Sequence, residues 1–144
     1  MQEVTGDIWD FHEQGHLVCI TTNGFVKKNG ECVMGAGVAK QAKVKFPDLP
    51  ARVGEDLRLM GNGLNFYGDI KLIMFPVKHN WYEQADIELI KQSCEQLIQL
   101  MDFKNIKKVY LPKPGCGNGK LRWPEVKKVI EPLLDDRVII IDKK

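Results

Sequence analysis

Met34-Gly35-Ala36-Gly37-Val38-Ala39 and Leu111-Pro112-Lys113-Pro114-Gly115-Cys116-Gly117-Asn118-Gly119-Lys120 are the stretches whose reading decides the fold. Each is a glycine-rich turn where a buried strand should hand over to a helix. The first follows the apolar Leu17-Val18-Cys19-Ile20 after a polar excursion, and the second directly follows Val109-Tyr110-Leu111-Pro112. Glycine lets backbone come close to an anion, and the free N–H groups of a following helix point at it. Two such turns on one small chain suggest a pocket that grips a pyrophosphate from both sides.

Outward from these turns, the chain reads as strands alternating with helices. Leu17 to Thr21 is a short buried strand, and Val38 to Phe46 a helix closed by Pro47. Pro50 fits the first turn of a second helix, with Val53, Leu57 and Met60 on its inner face and Gly61 as its stop. Asn62-Gly63 marks a tight turn, and residues 64 to 77 offer two strands, 64–67 and 70–77, broken at Gly68-Asp69. The spacing of Ile87, Ile90, Cys94, Leu97, Ile98 and Met101 predicts a helix from about Glu83 to Met101. Lys107 to Leu111 is the next strand. A helix then opens at Pro124, with Val126, Val129, Ile130 and Leu133 inward, and it kinks or ends near Glu131 because Pro132 interrupts it. Val138 to Ile141 is wholly apolar, as in a strand covered on both faces. The expected fold class is α/β, a three-layer α/β/α sandwich on a mixed, largely parallel sheet, formed by residues 1–144 as a single domain.

Composition narrows the function. Apolar content of 44% and charged content of 28% belong to a soluble globular protein. The net charge of +2 is too small to argue for long nucleic acid as a partner. Lysines at 104, 107 and 108, and at 127 and 128, read as solvated faces. Cys19, Cys32, Cys94 and Cys116 form no C-x-x-C pair, which suits reduced thiols, and the scattered His12, His16 and His79 argue against a metal. The start has no basic and apolar leader pattern, and no apolar run approaches the roughly 20 residues of a membrane helix. A cytoplasmic monomer with no membrane partner and no cofactor is the expectation. Two phosphate motifs are excluded: Lys40 stands where a dinucleotide fingerprint needs its third glycine, and Leu121 where a P-loop needs Ser or Thr.

What remains resembles the macrodomain family. The matching segments, in the family's order, are Gly6-Asp7-Ile8, Ile20-Thr21-Thr22-Asn23-Gly24, Met34 to Ala39, Phe75-Pro76-Val77-Lys78, and Leu111 to Leu121 with Trp123. The closest look is to the branch containing the terminal ADP-ribose protein glycohydrolase and the antitoxin that removes ADP-ribose from DNA. The resemblance implies an ADP-ribose cleft at the strand ends. It implies that Asp7, beside Ile8, accepts a hydrogen bond from the adenine amine; a helix-cap aspartate is the plainer reading. Asn23, next to Thr22, would hold the distal ribose, although an Asn-Gly turn explains it as well. The stretch from Phe25 to Val33 is longer than in many macrodomains, with Lys28-Asn29-Gly30-Glu31 reading as a hairpin tip. Gly35, Ala36, Gly37 and Val38 would line one side of the pyrophosphate. Pro114, Gly115, Cys116, Gly117, Asn118, Gly119 and Lys120 would close the other, unless both turns serve only helix–sheet packing. Cys116 has no histidine in a partner motif and reads as a loop-lining thiol. Trp123 either packs at the start of the last helix or stacks at the cleft rim.

Lys78 ends the apolar run from Leu72, so its ammonium should emerge beside the cleft with a lowered pKa. In the resembling branch the matching lysine attacks the distal ribose C1″, an amine being suited to capture the opened sugar as a Schiff base. A structural lysine facing a phosphate or carboxylate is the rival reading. The protein-directed glycohydrolase carries a catalytic aspartate where this chain has Gly119, and no carboxylate lies between Gly115 and Trp123. The expected activity is metal-independent hydrolysis of an ADP-ribosyl linkage on a macromolecule, catalysed by Lys78. The rivals are a phosphatase acting on ADP-ribose 1″-phosphate and a non-catalytic ADP-ribose reader.

Overall fold

Alternation along the strands sends their side chains into two separate cores, which fixes the layer order. The computed structural model describes residues 1–143. Its strands are β1 (Gln2–Thr5), β2 (Leu17–Asn23), β3 (Asn65–Tyr67), β4 (Leu72–Lys78), β5 (Val109–Pro112) and β6 (Val138–Asp142). Its helices are α1 (Ile8–Glu13), α2 (Gly37–Lys45), α3 (Leu49–Met60), α4 (Ile87–Lys104) and α5 (Trp123–Ile130). The six strands form one sheet in the order β1-β6-β5-β2-β4-β3, parallel except for the β3–β4 pair. Val18, Ile20, Leu72, Met74, Tyr110, Ile139 and Ile141 point to one face, against Trp9, Ala42, Leu49 and Val53 of α1 to α3. Cys19, Ile73, Phe75, Val109, Leu111, Val138 and Ile140 point to the other, against Ile90, Leu97, Met101, Val126 and Ile130 of α4 and α5. Burying a side chain the size of Phe75 or Leu97 stabilises the fold by about 2–3 kcal/mol. No helix among the described residues is long and apolar enough to cross a membrane.

The sandwich expected from the sequence is present, with local differences that have physical causes. β1 and α1 were not expected: every β1 side chain is exposed, and α1 spans six residues, too few to develop a periodicity. α4 begins at Ile87 rather than Glu83, because the Asp86 carboxylate accepts the Glu88 N–H at 2.9 Å and caps the helix there. Residues 79–86 are therefore a non-helical strap. Met60 is 66% exposed rather than inward, since the last turn of α3 runs past the core. α5 ends at Ile130, and Pro132 sits in a 3-10 turn, Glu131–Leu133.

Candidate functional site

The carboxyl ends of β2, β4, β5 and β6 open into a cavity of about 960 Å³. Open parallel sheets bind ligands at these ends. Thr22, Asn23, Lys78 and Pro112 line it from the strands, and both glycine turns line it from above.

In the first turn, Ala36 is the extended residue before α2 and has no side chain to cap it. The first-turn N–H groups of α2, with the positive end of its dipole, are left for a ligand beside the cavity-lining Gly35, Ala36, Gly37 and Val38. Gly37 has φ +57°, a left-handed conformation, and a Cβ added there would lie 3.2 Å from Asn118 Nδ2. The two turns therefore meet across the cavity.

The second turn leaves β5, closes with a Leu121 N–H to Gly115 carbonyl bond of 2.9 Å, and contains a 3-10 turn, Gly117–Gly119. Gly115, Cys116, Gly117, Asn118 and Gly119 line the cavity. Pro114 and Lys120 do not: Pro114 is buried, with its carbonyl near Cys116 Sγ, and Lys120 is exposed. Burial pushes the Cys116 thiol above its ordinary pKa, so it is a weak nucleophile.

Lys78 reaches the cavity as expected. Its Nζ donates to the Asn118 carbonyl at 3.1 Å and to the Trp81 carbonyl at 3.3 Å. Burial, and then the nearby charge of Lys120, hold its pKa below the usual lysine value. Its carbonyl accepts from Asn62 Nδ2 at 3.0 Å and from the Gly24 N–H at 3.1 Å, which fixes the strand end. A register shift after Thr22 brings Asn23 opposite Lys78. Asn23 lines the cavity, but its carboxamide is engaged within the fold: Nδ2 donates to the Val33 carbonyl and Oδ1 accepts from the Phe25 N–H, each at 2.9 Å. It holds the 25–33 excursion, whose tip folds back through a Lys27 N–H to Glu31 carbonyl bond of 2.8 Å. One Nδ2 hydrogen remains for a ligand.

Asp7 and Ile8 line a second cavity of about 600 Å³, which shares Val38, Pro112, Ile141 and Lys143 with the first. The helix-cap reading of Asp7 is met, one carboxylate oxygen accepting the Trp9 N–H at 3.0 Å, and the residue also lines the second cavity. Trp123 lines neither cavity; its indole N–H donates to Glu3 at 3.2 Å, so it packs as the first residue of α5.

The missing loop carboxylate has a packing cause. A Cβ on Gly119 would meet the Ala85 Cβ at 2.9 Å, and the Ala85 N–H donates to the Gly119 carbonyl at 3.0 Å. The strap occupies the space that a side chain at 119 would need. The sequence reading missed the strap's Trp81, and also Phe25, Lys27 and Val33 of the excursion, all of which line the large cavity. The aromatic pair Trp81-Tyr82, directly after the lysine that ends β4, was the available signal.

Comparison with known proteins agrees with this geometry. The Macro domain family model matches residues 27–130. A DNA ADP-ribosyl glycohydrolase of Thermus aquaticus is 30% identical over 112 residues, 72% of this chain and 31% of that protein. The chain spans about a third of the length of the curated relatives it matches. Among solved structures, the macrodomain of Mycobacterium tuberculosis DarG superposes with a TM-score of 0.78 at 23% identity, covering 99% of this chain and 97% of that one. Thermosipho africanus DarTG in complex with ADP-ribose gives 0.76 at 21% identity, over 100% of this chain and 42% of that one. By its sequence match and its sheet order, this chain belongs to the Macro domain family.

Proposed function

We propose that the two joined cavities bind ADP-ribose and that Lys78 cleaves an ADP-ribosyl bond to a nucleic acid, the class of substrate named for the DNA ADP-ribosyl glycohydrolase relatives. Adenine would lie by Asp7 and Ile8, the diphosphate between the two glycine turns, and the distal ribose by Asn23 and Lys78. The observation that carries this reading is the convergence of three separate segments. Asn118 of the second turn lies against Gly37 of the first, and its carbonyl holds Lys78 Nζ at 3.1 Å. A structural lysine facing an acidic group is disfavoured, because both its partners are neutral carbonyls.

In the reaction, the Lys78 amine attacks C1″ as the bond from C1″ to the modified base breaks, and the departing base takes a proton from solvent. The glycosylamine so formed gives up a proton to solvent and opens to a Schiff base as the C1″–O4″ bond breaks and O4″ takes up a proton. Water then adds at C1″, the C1″–N bond breaks to return the amine, and the sugar recloses as free ADP-ribose. Lys78→Ala should lower turnover of ADP-ribosylated DNA by at least 100-fold, roughly the scale at which loss of a nucleophile is felt, while ADP-ribose affinity by calorimetry stays within a few-fold. Hydrolysis at the parent rate in that variant refutes the mechanism. A non-catalytic reader is the second reading, favoured by the absence of any side chain at Gly119. Tight binding of ADP-ribose without release from modified DNA selects it.

A further inference from the structure

We infer that Trp81 and Tyr82 form a stacking platform for an unpaired nucleobase of the strand that carries the ADP-ribose. This inference rests on the ADP-ribose cleft proposed above and adds to it the recognition of the macromolecule. Trp81 is 52% and Tyr82 64% exposed, and their rings meet edge-on with centroids 5.4 Å apart. Single exposed apolar side chains are ordinary on a protein surface, but these two are placed and held. Trp81 lines the large cavity, and its carbonyl holds Lys78 Nζ, so the ring stands at the cleft beside the amine proposed to react.

The strap that carries them is pinned along its length. The Asp86 N–H donates to the Val77 carbonyl at 2.9 Å, the Ala85 N–H to the Gly119 carbonyl at 3.0 Å and the Glu83 N–H to the Asn80 carbonyl at 3.2 Å. His79 meets Asp86 at 2.7 Å, and Asn80 meets Glu83 at 2.8 Å. Ordering aromatic rings on a fixed backbone without burying them leaves their faces free at little further entropic cost, which is the condition for a stacking surface.

Charge agrees. Lys27, Lys78, Lys113 and Lys143 line the cavity, and Lys120 stands close enough to depress the Lys78 pKa. Among the described residues the one carboxylate lining it, Asp142, is paired with Lys113 at 2.8 Å, and Lys27 is paired with Glu31 at 3.6 Å. The strap's own acids, Glu83 and Asp86, are engaged with Asn80 and His79. A polyanionic strand meets a cationic mouth with an aromatic floor. Stacking needs an open base face, so the strand must be unpaired where it meets Trp81. The small net charge fits a footprint of one or two nucleotides rather than a long groove.

The test uses Lys78→Ala protein, which should hold substrate without cleaving it. Three ligands are titrated by fluorescence anisotropy or calorimetry: free ADP-ribose, a single-stranded oligonucleotide ADP-ribosylated on a base, and an ADP-ribosylated peptide. The platform requires the oligonucleotide to bind about tenfold tighter than ADP-ribose, the scale of one base–aromatic stack. That gain should vanish in the double variant Lys78→Ala/Trp81→Ala and return with Trp81→Phe. Equal gains from DNA and RNA arms support a sequence-tolerant stack. An oligonucleotide that binds no tighter than ADP-ribose overturns the proposal. So does a gain that survives loss of both Trp81 and Tyr82, or a peptide that draws the same benefit from Trp81. Failure to bind ADP-ribose at all refutes instead the cleft reading beneath it, and the platform falls with it.

Discussion

Gly119→Ala is the substitution that most directly probes how the strap and the second glycine turn fit together. The added Cβ would stand 2.9 Å from the Ala85 Cβ, closer than two such carbons approach in folded proteins. Neither partner is the end of a flexible chain, so backbone has to move, and overpacking of this kind costs about 1–3 kcal/mol. For a chain of this length, roughly 4 °C of Tm is lost per kcal/mol. The melting temperature should therefore fall by roughly 4–12 °C. The displaced element is the strap, so its Trp81 carbonyl should move off Lys78 Nζ and hydrolysis should fall further than ADP-ribose affinity. Ala85→Gly removes the opposing methyl. On its own it should lower stability by about 1 kcal/mol. Combined with Gly119→Ala, it should leave the double variant more stable than the sum of the singles by about 1 kcal/mol or more. Thermal and urea denaturation of the four proteins measure that coupling. Additivity within about 0.5 kcal/mol would mean that the two residues do not press on each other, and the explanation for the missing carboxylate would be wrong.

Other substitutions separate the parts of the cleft. Gly37→Ala forces a left-handed alanine beside Asn118 and should lose about 1–2 kcal/mol of stability, with a larger relative loss of ADP-ribose affinity by calorimetry. Asp7→Asn keeps a good helix cap but puts a donor where adenine's amine needs an acceptor. Its melting temperature should hold while ADP-ribose binding weakens about tenfold, the scale of one lost polar contact. Lys120→Met removes a cation that helps hold the Lys78 pKa down. The neutral amine is the nucleophile and a raised pKa leaves less of it at a given pH, so the rising limb of the pH–rate profile should move to higher pH. A limb that stays in place or moves down contradicts the assignment.

What the sequence disclosed and what it withheld follow from the range of the signals. The strands β2, β4 and β6 were legible because both their faces are buried, which leaves unbroken apolar runs. Lys78 was legible because it ends one of them. That the two glycine turns face one pocket was expected from their pairing in the sequence, but the contact of Gly37 with Asn118 was not, since it depends on β5 lying beside β2 in a sheet order that no local pattern encodes. β1 carries no apolar alternation and is held by its parallel pairing with β6 and by contacts of Gln2 and Glu3 with Asp136, Trp123 and Lys127, none of them local in sequence. The last part of the strap, residues 83–86, was read as helix because the periodicity from Ile87 onward was carried backward past Asp86. An aspartate just before the first periodic residue is a helix-start signal that should have stopped it. Asn23 was left between a ribose contact and an Asn-Gly turn, because its two backbone partners lie in the excursion after it, whose return path the sequence does not state.

The environment of Lys78 also answers how an amine can serve without a neighbouring carboxylate. Two carbonyls accept from Nζ, one from the strap and one from the second glycine turn. An ammonium has three N–H groups and a neutral amine two, so the neutral form satisfies both carbonyls with nothing left over except its lone pair. Burial and then the charge of Lys120 disfavour the third proton, and they outweigh the pull of the two carbonyl dipoles, which favour the charged form. The two fixed acceptors thus hold both N–H groups and, with the Cε bond, fix where the lone pair can point. Packing Ala85 against Gly119 keeps a carboxylate out of the second turn, so the partners of Lys78 Nζ stay neutral carbonyls.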